Sequence, residues 1–168
     1  TTKFEDALIK EHVPAHEFER YHTQGQRLLW TLFETNRYEL PQGSLSEQSL
    51  NYILPGGAQL GGKLDRVDTQ DKSNLVIVDY KTGNGLSSFS TQNKNLMVKA
   101  WKHKTQLIFY ALLTSLDPRY SGFKSTECQM VYVECPEIKD LIRSYFPSPD
   151  EVARMATLAS KVYAHIQN

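Results

Sequence analysis

Apolar residues along this chain follow two rhythms, one of three to four residues and one of two. From Pro14 to about Asn36, Phe18, Tyr21, Gly25, Leu28, Leu32 and Phe33 recur at helical intervals, which predicts an amphipathic helix with Pro14 in its first turn. Gly25 costs roughly 1 kcal/mol inside a helix, so its presence predicts close approach by another element. The stretch NRYELPQGS breaks the pattern with Pro and Gly. Three strand-like runs follow, SLSEQSLNYIL, AQLGGKLDRVD and LVIVDYKT, separated by Pro55-Gly56-Gly57 and the polar turn TQDKSN. That punctuation predicts a meander. The Gly/Ser/Asn-rich run at 83–95 reads as a loop long enough to be mobile. A second helix, from about Leu96 to Leu116, carries Lys104, Leu107, Ile108, Ala111, Leu112 and Ser115 in one stripe and stops at Asp117-Pro118. TECQMVYVE and KDLIRSYF read as strands. SPDEVARMATLASKVYAHIQ reads as a closing helix, with Ser148 as N-cap, Pro149 at its first position and Glu151 completing a capping box. The expected architecture is one α/β domain over 1–168. A small mixed sheet with a central antiparallel meander is flanked by helices at 14–36, 96–116 and 148–167.

Composition narrows the function classes. With 168 residues, 40% hydrophobic and 23% charged, the chain can bury one ordinary core. Its formal net charge is zero, so any nucleic-acid contact must come from a local patch. No apolar run approaches the ~18 residues of a membrane span, and TTKFEDALIKEH lacks the apolar segment of a signal peptide. A cytoplasmic protein without a membrane partner is therefore expected. The start at Thr1 suits a piece excised from a longer polypeptide. Cys128 and Cys135, seven apart, would face opposite sides of one strand, which argues against a disulfide. Two thiols cannot hold a four-thiolate cluster, so no iron–sulfur cluster is expected.

The candidate chemistry sits in LDRVDTQDKSNLVIVDYKTGNG, residues 64–85. With the turn centred near Lys72, antiparallel partners sum to about 144, which sets Asp65 opposite Asp79. Like charges facing across strands at ~5 Å destabilise a sheet, whereas two carboxylates at that spacing suit a hard divalent cation. Lys81, two residues past Asp79, leaves the same face. The competing reading is ordinary ion pairing, Asp65 with Arg66 or Lys63 and Asp79 with Lys81. Arg66 is expected to orient a carboxylate, and Asp68, on the other face, to form the turn.

Three ordered motifs bear on that choice: Gly62-Lys63-Leu64-Asp65-Arg66-Val67-Asp68, Val76-Ile77-Val78-Asp79-Tyr80-Lys81-Thr82-Gly83, and Gln106-Leu107-Ile108-Phe109-Tyr110. Their order and spacing resemble the PD-(D/E)xK nuclease superfamily, in particular the RecB-like branch attached to superfamily 1 helicases of the UvrD/AddA type. The resemblance covers most of the chain. It implies a restriction-endonuclease-like core and a Mg²⁺- or Mn²⁺-dependent deoxyribonuclease. In it Asp65, Asp79 and the Tyr80 backbone carbonyl hold the metal, and Lys81 is the catalytic lysine. Gln106 and Tyr110 then lie beside the site, and Lys99, Lys102 and His103 extend their helix face as a basic stripe for DNA. The implied setting is the exonuclease domain of a repair or recombination helicase acting on DNA, with single-stranded ends foremost.

Two positions depart from the family pattern. Many relatives carry a metal-contacting histidine four residues after a glycine on the first helix, where this chain has Leu29 after Gly25; His22, seven residues back from Leu29, is ~10 Å away along the axis. Some helicase-linked relatives carry instead a glutamate on the strand before the first aspartate, and Glu47 occupies about that place. Two rival readings follow, a nuclease fold that has lost catalysis and binds DNA, and a structural domain whose charges are surface pairs. Trp30 and Trp101 read as packing aromatics, Trp101 bordering the basic stripe.

Overall fold

The computed structural model describes residues 2–34, 41, 43–69, 73–83, 85–135 and 141–167. It divides into two compact units, Thr1–Leu40 and Pro41–Asn168. The expected turn centre at Lys72 and the helix end at Asn36 lie outside the described residues.

The first unit pairs α1 (Thr2–Lys10) with α2 (Ala15–Glu34). The sequence reading has no counterpart to α1. That helix ends at His12, which adopts φ 54° while the Val13 N–H reaches back to the Leu8 carbonyl at 3.5 Å, a left-handed terminus usually left to glycine. Gly25 is where the two helices meet. A Cβ there would lie 2.1 Å from the Phe4 ring, so the approach anticipated from the sequence is made by α1. His22 stacks against Phe4 and Phe18, with ring centroids 6.2 and 5.8 Å away. It is a packing residue of this hairpin.

The second unit holds a mixed sheet in the order β1-β2-β3-β4-β5: Leu45–Ile53, Gln59–Asp68, Asn74–Lys81, Ser125–Tyr132 and Ile142–Tyr145. The meander is present as expected. β1 turns into β2 through Gly56 and Gly57, both at positive φ, a conformation that costs other residues steric strain. β3 pairs with β2 antiparallel and with β4 parallel. Parallel neighbours need a crossover, and α3 (Lys94–Ser115) supplies it. Beyond β3, Leu86 is buried, its carbonyl accepts from Arg143 Nε at 2.7 Å, and Phe89 packs edge-on against Tyr145.

The core lies between the sheet and α3. Leu64, Val67, Leu75, Ile77, Cys128, Met130 and Tyr132 meet Leu107, Ala111 and Leu113, and each fully buried leucine contributes roughly 2 kcal/mol. α4 (Pro149–Gln167) closes over α3. Its capping box forms, with Glu151 N–H donating to Ser148 Oγ at 3.2 Å and Ser148 N–H to Glu151 Oε2 at 3.0 Å. Among the described residues no helix is long and apolar enough to cross a membrane.

Candidate active site

Period-two alternation sends Leu75, Ile77, Asp79 and Lys81 to the face of β3 that lies under α3. The first two positions are apolar and buried, and the last two turn the end of that face polar. Asp79 is only 2% exposed. Its Oδ1 accepts from Gln106 Nε2 at 2.9 Å and from the Tyr110 hydroxyl at 3.2 Å, and Gln106 Nε2 also donates to Tyr110 Oη at 2.7 Å. Four residues apart on α3, these two side chains project together. Gly62 lets them descend: a Cβ there would sit 2.6 Å from Leu113 Cδ1, so the helix rides directly on β2.

The other carboxylate oxygen, Oδ2, is held by Lys81, whose Nζ lies 2.5 Å away in a close ion pair. Burial pushes the Asp79 carboxyl above the ordinary carboxylate range, the Lys81 ammonium pulls it back, and the negative charge of Asp65 pushes it up again.

The β2–β3 ladder follows the anticipated sum of 144 for Arg66↔Val78, Val67↔Ile77 and Asp68↔Val76, and its register goes no further. Asp65 is therefore not a ladder partner of Asp79. Its Oδ2 accepts from the Tyr80 backbone N–H at 2.9 Å instead, replacing a ladder bond and relieving a direct carboxylate–carboxylate opposition. The Lys81 carbonyl is taken by Val133 N–H on the β4 side at 3.0 Å. Strand alternation then directs the Tyr80 carbonyl to the side of Asp65.

On the opposite face Arg66 NH1 donates to the Tyr80 hydroxyl at 2.9 Å, while NH2 pairs with Asp68 Oδ2 at 3.0 Å. Ser44 Oγ donates to Asp68 Oδ1 at 2.6 Å. Asp68 is the last residue of β2, where its carboxylate is held by Ser44 and Arg66. Arg66 thus orients a carboxylate, that of Asp68.

Lys99 and His103 share the site-facing stripe of α3 with Gln106 and Tyr110. His103 Nδ1 bonds the buried Tyr132 hydroxyl at 2.8 Å, and the Lys99 ammonium stands 5.9 Å over the Tyr132 ring. Burial first, then the charges of Lys81 and Lys99, lower the imidazole to about 4. At neutral pH the cations of the stripe are therefore its lysines alone. Lys102 is exposed beside this group. Tyr132 was missed from sequence; its signal was the inward alternation Cys128, Met130, Tyr132, usable only once the parallel pairing Lys81↔Tyr132 is known. Glu47 stands level with Asp65 between Ser46↔Arg66 and Gln48↔Leu64, at φ 55°, and pairs with Lys63 at the surface. Leu29 is half exposed within the first unit.

The donor set fits a divalent metal. Asp65 lies near enough for its charge to act on Asp79, and Asp79 Oδ2 carries the Lys81 ammonium. A magnesium-like ion commonly takes one or two carboxylates and fills its remaining positions with water or phosphate. Among the described residues no group of three His, Cys, Asp or Glu gathers to hold one.

A family model described as the PD-(D/E)XK nuclease superfamily matches residues 2–168. The chain belongs to that superfamily. PD-(D/E)XK nucleases generally use divalent metal ions. A crystal structure from Eubacterium rectale, of a protein named provisionally as an exonuclease, shares the fold with TM-score 0.54 and 11% identity, covering 99% of this chain and 60% of that one. This chain thus spans about three fifths of that neighbour's length. The structure of SSO0001 aligns with TM-score 0.42 and 17% identity over 96% of this chain and 68% of that chain. No curated protein matches the sequence.

Proposed function

We propose that this PD-(D/E)XK chain is a Mg²⁺- or Mn²⁺-dependent deoxyribonuclease, the exonuclease domain of a RecB-like helicase–nuclease working in DNA repair or recombination. The observation that carries this reading is Asp79: a buried carboxylate, one oxygen fixed by Gln106 and Tyr110, the other paired with Lys81, with the charge of Asp65 acting on it. The three-motif resemblance supports the helicase setting, and the name of the E. rectale neighbour supports exonuclease action.

Asp65, Asp79 and the Tyr80 carbonyl would hold the metal. When bound, such an ion lowers the pKa of water and neutralises charge on a phosphate. Glu47 is the residue to add a further carboxylate, because its exposed pair with Lys63 is worth at most about 1 kcal/mol. Lys81 presents its ammonium where negative charge grows on the phosphoryl oxygens, or orients the attacking water. Gln106 and Tyr110 keep the Asp79 carboxylate from rotating. Water adds to phosphorus, the bond to the leaving sugar oxygen breaks, and that oxygen takes up a proton. The products are a phosphate monoester and a sugar hydroxyl. Lys99, Lys102 and His103 contact the DNA, His103 as a neutral imidazole.

The second reading, a DNA-binding module without catalysis, is favoured by the missing third ligand group among the described residues. End-labelled and circular DNA, each with Mg²⁺, Mn²⁺ or EDTA, separates the two. Cleavage that needs metal and disappears in Asp79→Asn and Lys81→Ala supports the nuclease. Metal-independent DNA binding without cleavage, and no carboxylate-dependent heat with Mn²⁺, would support the module.

A further inference from the structure

The first half of α3 presents an outward ridge of which the reading above uses only Lys102. Stepping back four residues at a time from Gln106, the helix displays Lys102, Val98 and Lys94, a row that runs about 18 Å away from the site. Val98 is 62% exposed, and Trp101 beside it is 64% exposed. Lys94 and Lys102 are exposed as well. Trp101 lies about 140° around the helix from Gln106, so it belongs to this ridge and not to the wall of the site.

α3 contains no Asp or Glu; its lysines are 94, 99, 102 and 104. Lys104 is drawn off by Glu151 of α4 at 3.0 Å. The helix N-terminus adds its own positive potential at the Lys94 end. A neutral protein thus concentrates cations around an exposed indole on the element that also supplies Gln106 and Tyr110. Cations beside an aromatic face suit a phosphate backbone with stacking bases. An indole on a convex ridge can stack only on a base with an open face, which duplex without ends or gaps lacks.

We infer that the Lys94–Val98–Trp101–Lys102 ridge is a docking track for an unpaired nucleic-acid strand, with Trp101 stacking one base and Lys94 and Lys102 taking flanking phosphates. This rests on the nuclease reading and specifies the strand that reaches it.

Trp30 and Trp101 are the two tryptophans of the chain, so Trp30→Phe leaves Trp101 as sole reporter. In that background, with Asp79→Asn to block cleavage, oligo-dT is expected to quench Trp101 fluorescence. An abasic strand of equal length and a closed circular duplex should leave it unchanged. Trp101→Ala should weaken oligo-dT binding roughly 5- to 150-fold, the range for one stacked base, and Trp101→Phe should restore most of it. In the cleaving enzyme Trp101→Ala should raise KM with kcat retained. Silence of Trp101 towards every oligonucleotide, with KM unchanged in Trp101→Ala, would overturn the track and leave the nuclease reading intact. Quenching in a protein that never cleaves would uphold the track and sink the nuclease. Concentration-dependent self-association abolished by Trp101→Ala would also overturn it, showing the ridge to be an interface between copies.

Discussion

With 2% of its surface exposed and a second carboxylate nearby, Asp79 holds a charge that would be better solvated in the unfolded chain. Asp79→Asn removes that charge while keeping the shape and the acceptor for Gln106. The metal-free variant is therefore expected to melt no lower than wild type, by calorimetry, although it no longer cuts DNA. Lys81→Ala should behave differently, because it strands the Asp79 charge. It is expected to lose both cleavage and about 1–3 kcal/mol of stability. Equal destabilisation by the two variants would contradict the electrostatic picture. The strand period put Asp79 and Lys81 on one face and the helix period put Gln106 and Tyr110 on another; that the two faces meet was implied only by the family resemblance, and the expected opposition of Asp65 and Asp79 is absent from the ladder. Tyr132, and the pairing of Arg66 with Asp68, were not legible in sequence, since each depends on which strands lie side by side.

The helix α3 and the strands beneath it are fitted by small residues and caps. Gly62→Ala would drive a methyl group into Leu113, 2.6 Å away. Lifting the helix should cost about 1–3 kcal/mol and loosen the grip of Gln106 and Tyr110 on Asp79, lowering kcat; urea titration and single-turnover cleavage measure the two effects. At the other end, the Tyr145 hydroxyl, the Ser148 N–H and the Lys104 ammonium hold the Glu151 carboxyl down to about 2 from an ordinary 4.5. A depressed carboxyl stabilises the fold above its unfolded value and loses that contribution as pH falls through the folded one. Between pH 4.5 and about 2, wild type should therefore lose more stability than Glu151→Gln, whose melting temperature should fall less steeply with pH. The meander, the capping box and three of the four helices were readable from local pattern. α1 was not, because its evidence is the gap it fills at Gly25 of its neighbour. The parallel β3–β4 pairing was likewise hidden, since it joins segments about fifty residues apart.

The chain is electrically neutral, so the DNA contact proposed for it would rest on few charges. If Lys94, Lys99 and Lys102 are the phosphate contacts, the logarithm of the binding constant should fall with the logarithm of salt at a slope of about −2. A fluorescence-anisotropy series in NaCl gives the slope, and one near zero would count against all three. The crossover through α3 has a kinetic consequence. β2 and β3 are close in sequence and can zip early, whereas β3 and β4 must wait for a long loop to close. The acidic pair would then assemble before the helix that restrains it. Val67→Ala should accordingly slow refolding, while Met130→Ala, on the late strand, should chiefly hasten unfolding. The chain would acquire its reactive groups first and their restraint last.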